Sequence, residues 1–435
     1  MTTLTPSNPQ STHRSRNKPA NQKIKVNVVT GQGGGGHYAA YRAIQAVAEQ
    51  KELPWEFQVT DMDEIITQLS AQNEIQNAYE MFGISGHDLY NMMLKSGWTW
   101  MWPLKMRLNK FLVKLNYDVG CEFFEQHWRK QQPDIVVSVM PLYNKGLSES
   151  LQKAKPGTPY VTVMVDLADY PPAFWLEPEA DCYTVCATGK AMEQARALGI
   201  EDSRLTKHSG MVIHPKFYQQ PPLDIAAERQ RLGLDPHKLT GIVMFGGNGS
   251  KVMIDIAKQL ERYHDDLQLI FLCGRSQELA EQLQQLPGQQ NRTVIGFTDK
   301  VPHYMQLSDF FIGKPGPGSL SEALAMNLPV ITECGAATLI HERYNAQWVQ
   351  DHQVGIVVKS FKQIQKAIVP FLTPPTFQPY QEVAVALKNQ AIFELADYLQ
   401  QLLAAHYPNE IAQTINARPE QPTHLEKSHA AASNQ

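Results

Sequence analysis

Short runs of β-branched and aromatic residues alternate along the chain with longer stretches whose apolar residues recur every three or four positions. KVNVVT, FQVTD, DIVVSVM, YVTVMVD and DCYTVC come first, and after a gap follow GIVMFG, LQLIFLCG, TVIGF, DFFIG, LPVIT and VGIVV. Apolar strands separated by helical stretches predict parallel sheets with crossover helices. Eleven strands exceed the usual single sheet, and His214 to Glu228 carries the prolines and polar residues of a linker. The fold class predicted is α/β, with two doubly wound Rossmann-like domains facing a cleft. The chain divides near Pro221 into domains of about residues 23–215 and 216–405, and the last helix is free to return to the first domain. Residues 1–22 and 406–435, polar and poor in large apolar side chains, read as disordered tails without chemistry.

The 435 residues, 43% apolar, suffice for two ordinary cores. A formal net charge of −4 offers no global basic field, which argues against a nucleic-acid partner. No run of eighteen apolar residues and no signal-peptide core occurs, so the expected location is cytoplasmic, peripheral on a membrane surface. The absence of acidic residues before Glu49 leaves a short organelle transit peptide open. Five scattered cysteines suit reduced thiols; Cys182 and Cys186, the one close pair, lack partnering histidines and read as buried structural thiols.

Three predicted strands run into glycine clusters that open helices, where backbone N–H groups and the helix dipole make anion sites. The first, TGQGGGGHYAAYRAI, places Gly31, Gly33 and Gly36 in a G-x-G-x-x-G pattern, and Asp61 ends the next strand, as in a dinucleotide-binding domain. Against an NAD site stand two further loops in the second half, MFGGNGSK and GKPGPGSLSEALAMNLP. Three loops fit a protein that grips a nucleotide diphosphate in one domain and approaches it with an acceptor from the other.

GGGGHYAAYRAI, VDLADYPPAFW, FGGNGS with FLCGR, and KPGPGSLSEALAMNLPVI occur in the order seen in the family 28 glycosyltransferases of GT-B fold. The chain resembles that family from about Lys23 to about Ala404, most closely its diacylglycerol galactosyl- and glucosyltransferases, the monogalactosyldiacylglycerol synthases among them. The resemblance implies an inverting transfer of a hexose from a UDP-sugar to a membrane lipid, with no cofactor besides the UDP-sugar co-substrate and no metal. It extends to the enzyme that adds N-acetylglucosamine to a lipid-linked precursor, so the identities of sugar and acceptor stay open, as does the oligomeric state.

In that reading Gly246, Gly247, Asn248, Gly249 and Ser250 meet the diphosphate with backbone N–H groups, a task that competes with a plain tight turn. Gly316 and Gly318 shape the third loop, Ser319 or Ser321 lies in the first turn of its helix, and Glu322 from that turn accepts the ribose hydroxyls or serves as a dipole-complementing acid. The resemblance places Glu342 and Asn345 near the donor sugar and phosphates, where spacing alone makes them a helix face, and has the Phe297 backbone read the uracil edge. Asn248 stands where the family's donor loop carries glutamate. Gly33, Gly34, Gly35 and Gly36 form an acceptor loop, and His37 beyond them takes the acceptor proton unless it is merely a cap. Asp166, at the end of YVTVMVD, is the rival base or the group that orients His37, and Asp169 is a weaker candidate.

The segment SGWTWMWPLKMRLNKFLVKLNYD sets Trp98, Trp100 and Trp102 before a helix with Leu104, Leu108, Phe111, Leu112 and Leu115 on one face and Arg107, Lys110 and Lys114 beside it. Aromatic rings and cations in this arrangement read as an interfacial helix on an anionic membrane; the competing reading is a core helix with a solvated basic rim. Two other classes stay open: a sugar-nucleotide epimerase and a catalytically silent GT-B binding protein.

Overall fold

The computed structural model describes residues 23–31, 35–71, 108, 111–219, 221–336 and 338–407. Twelve strands form two parallel six-stranded sheets among these residues. The first sheet comprises β1 (Ile24–Thr30), β2 (Trp55–Asp61), β3 (Ile135–Ser138), β4 (Tyr160–Val163), β5 (Tyr183–Cys186) and β6 (Leu205–Lys207), in the order β2-β1-β3-β4-β5-β6. The second comprises β7 (Leu239–Met244), β8 (Leu267–Leu272), β9 (Arg292–Ile295), β10 (Phe310–Ile312), β11 (Val330–Glu333) and β12 (Gly355–Val358), in the order β12-β11-β10-β7-β8-β9.

Each sheet has one place where the strand order reverses, beside β1 in the first and between β7 and β10 in the second. Helices leave to opposite faces on either side of such a point, so a crevice opens at the carboxyl ends of the strands. The glycine loops follow β1, β7 and β10, and topology alone therefore brings them to the two crevices.

Apolar strand residues explain the cores. Val26, Val28, Ile135, Val137 and Val161 are almost fully buried and pack with Ala40, Ile44 and Val47 of the Gly36–Gln50 helix. The last described helix, Ala391–His406, packs Ile392, Leu395 and Leu399 into this same core and so returns to the first lobe. The second sheet has its own core around Val243, Phe271, Phe310 and Ile331. A third cluster spans the junction, with Leu167, Met211 and Ile213 against Met244, Leu320 and Val330. At the crossing back, Asn389 Nδ2 donates to Met211 O at 2.9 Å and Glu394 Oε2 accepts the Ser209 N–H at 2.7 Å.

Two details depart from the sequence pattern. The strand β6, three residues of the pattern LTK, has no apolar run to announce it. YVTVMVD is strand only as far as Val163, where pairing with β5 stops at Val185. Asp166 therefore stands three residues beyond the strand. Cys182 and Cys186 are buried free thiols.

Candidate functional site

On the first lobe, β1 delivers the chain into the glycine loop, whose Gly33 and Gly34 lie outside the described residues. Gly35 precedes the Gly36–Gln50 helix with φ 80°, a left-handed conformation that glycine adopts at little cost. His37 is the second helical residue and half-buried. Its Nδ1 lies 2.6 Å from the Val139 carbonyl oxygen just past β3. A carbonyl only accepts, so Nδ1 carries the hydrogen and Nε2 keeps the lone pair that can take a proton. Burial is the main cause that lowers the His37 pKa, opposed by the Val139 bond and the negative charges of Asp166 and Asp63. Desolvation is thus the first influence that favours the neutral imidazole.

Asp166 does not hold His37. Its buried Oδ2 accepts a 2.8 Å bond from Trp175 Nε1, and Val139 orients the histidine instead. The Trp175 ring centre stands 6.0 Å from that of His37, so the indole that binds Asp166 also packs beside the histidine. Burial raises the Asp166 pKa, against the charges of His341 and His37 and the Trp175 bond. Asp169 accepts backbone N–H bonds from Ala173, Phe174 and Trp175 at 2.8, 3.0 and 2.6 Å, and so shapes the loop that presents Trp175. Asp63, in the first turn of the Met62–Ala71 helix, lies against Gly31. Asp61 Oδ1 accepts the N–H groups of Asp63 and Glu64, which ties the carboxylate proposed for an NAD ribose to a helix start.

On the second lobe, Gly246 to Ser250 follow β7, with Gly247 and Asn248 exposed. The loop is braced by Arg275, whose N–H donates to Gly247 O at 2.8 Å. Gly274 has φ 59°, and a Cβ there would stand 2.2 Å from Gly247 O, so the FLCGR loop admits no side chain at this point. The Arg275 guanidinium lies 4.8 Å from the ring centre of Phe297, which is 65% exposed. That cation–π pair stands on the arginine that braces the Gly246 to Ser250 loop.

Gly316 precedes the Pro317–Ala325 helix, and Ser319 Oγ bonds Gly316 O at 3.4 Å. Gly318 touches Met211 of the first lobe where a Cβ would lie. Glu322 falls in the second turn, not the first, and so is no dipole-complementing acid. Its pKa is raised to about 7 by burial, with Lys216 opposing. Glu342 and Asn345, both buried, turn onto the loop after β10: Lys314 Nζ pairs with Glu342 Oε1 at 2.7 Å, and Asn345 Nδ2 donates to Pro315 O at 2.8 Å.

The lobes meet over this site. In the Ile340–Asp351 helix, His341 stacks on Phe174, ring centres 6.5 Å apart and 27° between planes, and Tyr344 sits 6.0 Å from Tyr170. Sequence reasoning passed over His341, Trp175, Val139, Asp63 and Arg275. Only His341 carried a local signal, its place beside Glu342 at a helix start. Among the described residues no group of three His, Cys, Asp or Glu is arranged to hold a metal ion.

Trp98, Trp100, Trp102, Arg107 and Lys110 lie outside the described residues. In the described part, Leu108, Phe111, Leu115 and Val119 are 39%, 61%, 53% and 40% exposed, and Lys114 is exposed beside them. Their spacing of three and four residues makes one bare apolar row, while Cys121, Phe124 and Trp128 of the following Tyr117–Gln131 helix are buried. Among the described residues no helix is long and apolar enough to cross a membrane.

Residues 37–213 match the family described as monogalactosyldiacylglycerol (MGDG) synthase, and residues 242–400 match the glycosyltransferase family 28 C-terminal domain. The chain is 26% identical over 415 residues to monogalactosyldiacylglycerol synthase 1, chloroplastic, of Arabidopsis thaliana, covering 88% of this chain and 72% of that protein. It is 26% identical over 271 residues to the processive diacylglycerol beta-glucosyltransferase of Bacillus subtilis (strain 168), covering 62% of this chain and 67% of that protein. Among solved structures, S. aureus MnaA with UDP superposes with a TM-score of 0.55 at 15% identity, covering 89% of this chain and 98% of the other. Acinetobacter baumannii MurG does so at 0.53 and 12%, covering 87% and 99%. The structural likenesses speak for the shared two-lobed fold alone.

Proposed function

We propose that this chain, a family 28 glycosyltransferase of GT-B fold, moves a hexose from a UDP-sugar to the free hydroxyl of diacylglycerol at an anionic membrane surface. The observation that carries the reading is the His37–Val139 bond, which leaves Nε2 as a lone-pair nitrogen in the crevice beside the acceptor loop. The acceptor oxygen attacks the anomeric carbon while its proton passes to Nε2. The bond from that carbon to the diphosphate breaks with its electron pair on the departing UDP, and direct displacement inverts the configuration. Asp166 and Asp63 stabilise the imidazolium that forms.

The leaving diphosphate is met by backbone N–H groups of Gly246 to Ser250 and by the N-terminus of the Pro317–Ala325 helix. Glu322 takes the ribose hydroxyls, and the exposed Phe297 carries the base on its backbone and ring. Glu342 and Asn345 act from behind, by fixing Lys314 and Pro315 in the loop that borders the phosphates. In this reading acceptor chemistry belongs to residues 23–215 and the donor to 216–405, except that the Ala391–His406 helix returns to the acceptor lobe. The bare row from Leu108 to Val119, with Lys114, supports a monotopic stance in which this edge dips into the headgroup layer.

The test is incubation of the purified protein with UDP-galactose, UDP-glucose or UDP-N-acetylglucosamine, with and without anionic liposomes containing diacylglycerol. A glycolipid formed only with liposomes is the expected product. Release of a free epimerised sugar nucleotide, or binding without turnover, would replace the reading by an epimerase or a silent binding protein.

A further inference from the structure

Three neighbouring strands of the second sheet end level with one another. Met244 of β7 pairs in register with Leu272 of β8, and Leu272 with Ile295 of β9. Parallel strands that end level send their loops out side by side at the carboxyl edge, where the crevice opens. Gly247, Arg275 and Phe297 follow these strand ends by three, three and two residues, and the structure brings them into contact. The Arg275 N–H donates to Gly247 O at 2.8 Å, and a Cβ on Gly247 would stand 3.5 Å from Arg275 Nη1. On its other side the same guanidinium lies over the Phe297 ring, 4.8 Å from its centre.

We propose that Arg275 is a catalytic residue for the sugar transfer, whose guanidinium binds the donor diphosphate and stabilises the charge that grows there as UDP departs. The inference rests on the reading of the Gly246 to Ser250 loop as the diphosphate site and of Phe297 as the base reader.

A nucleotide whose base meets Phe297 and whose diphosphate meets the Gly246 to Ser250 loop runs from the end of β9 to the end of β7. It passes the end of β8 on the way, and Arg275 is the cation that β8 places on that path. Among the described residues no carboxylate lies within ion-pair distance of Arg275, whereas Lys314, which also borders the phosphates, is paired with Glu342 at 2.7 Å. The Phe297 face steadies the guanidinium without neutralising it, since a ring offers a quadrupole and no counter-charge. The planar fork that remains matches the oxygens of a phosphate. In the transfer the acceptor oxygen bonds to the anomeric carbon and gives its proton to His37, while the bond from that carbon to the β-phosphate oxygen breaks with its electron pair on the oxygen. UDP leaves with more negative charge than it carried as the sugar ester. A fixed cation therefore attracts the departing state more strongly than the bound donor, which is the condition for catalysis.

The test compares the parent enzyme with Arg275→Gln and Arg275→Lys, by calorimetry with UDP and with uridine and by steady-state transfer kinetics. The side chain is exposed and the brace to Gly247 comes from the main chain, so the variants keep the loop. In Arg275→Gln, UDP affinity falls about 10- to 100-fold, uridine affinity stays within about 3-fold, and kcat/KM for the donor drops roughly 10²-fold. The lysine variant recovers part of both losses, because it keeps the charge and loses the fork. Unchanged UDP affinity and kcat/KM in Arg275→Gln, or a lysine variant no better than glutamine, would overturn the inference. So would an equal loss for uridine and UDP, which would make Arg275 a platform for the base. A parent that binds no UDP would overturn the donor reading along with the inference. A parent that binds UDP and transfers sugar, beside an unaltered glutamine variant, would overturn the inference alone.

Discussion

Trp175 donates its indole N–H to Asp166 at 2.8 Å while its ring centre stands 6.0 Å from that of His37, the two planes tilted by 44°. One side chain thereby contacts both groups that could serve as base, and each of them senses the other's charge. In the proposed reaction His37, whose Nε2 is left by the Val139 bond to accept the proton, is the base, and the buried Asp166 stabilises the charge that forms. Trp175→Phe keeps most of the ring and removes the donor. Because the bond favours the Asp166 anion, its loss pushes the Asp166 pKa further up. Losing a hydrogen bond to a buried charge costs about 1.5–3 kcal/mol, so turnover should fall roughly 10- to 100-fold at neutral pH and recover in part as the pH rises. A pH-independent defect would reduce Trp175 to packing.

His37→Ala should lower turnover by roughly 10²–10⁴ and leave UDP affinity nearly intact, since the donor groups belong to the other lobe. Calorimetry with UDP and steady-state kinetics read the two quantities separately. Near-normal turnover would return His37 to the role of a helix-end residue and move the proton to Asp166 or Asp63.

Glu322 has two measurable consequences. Its pKa is raised from 4.5 to about 7, so the folded protein holds a proton that the unfolded chain releases. Stability contributed by that proton is present below about pH 4.5 and is lost as the pH climbs to about 7. Thermal melts of Glu322→Gln should lack this decline. In the reading as ribose ligand the anion is the better acceptor, so parental UDP affinity should rise from about pH 6 to about pH 8, and Glu322→Ala should abolish the rise. Unchanged UDP affinity in the alanine variant would refute the assignment.

Gly274→Ala should disrupt the donor loop without touching the acceptor side. A Cβ at φ 59° and 2.2 Å from Gly247 O forces backbone to move, since the obstacle is not a flexible side chain. UDP binding should weaken at least 10-fold while the melting temperature drops only a few degrees. Full UDP affinity would detach the Gly246 to Ser250 loop from the diphosphate.

The bare apolar row predicts membrane docking that charge and hydrophobicity share. Phe111→Ser with Leu115→Ser should weaken liposome binding at every salt concentration. Replacing Arg107, Lys110 and Lys114 with glutamine should weaken it mainly at low salt, by about 1 kcal/mol per charge. Sedimentation unaffected by both sets would leave the row to a protein partner.

The alternation of apolar strands and amphipathic helices was enough to place eleven of the strands, because a parallel strand buried on both faces must be apolar along its length. The glycine loops were legible for a similar local reason: backbone that turns sharply from strand to helix leaves no room for a Cβ. Strand β6 was not, since three residues reading LTK at a sheet edge are ordered by β5 rather than by their own pattern. Glu322 slipped by one turn because the helix start is set by Pro317, and Asp166 left its strand because pairing ended at Val163.

The sequence by itself determined the two sheets, the three loops and the presence of His37 beside one of them, all written in residues a few positions apart. What each group can do was decided by contacts the sequence does not encode locally. Val139 lies 102 residues from His37, and His341 and Glu342 reach the site from the other lobe. Side-chain periodicity reports which face of an element is buried, but not which element comes to cover it. Proton affinity depends on that covering, because desolvation and neighbouring charge fall off within a few ångströms and are set only when the lobes close on one another.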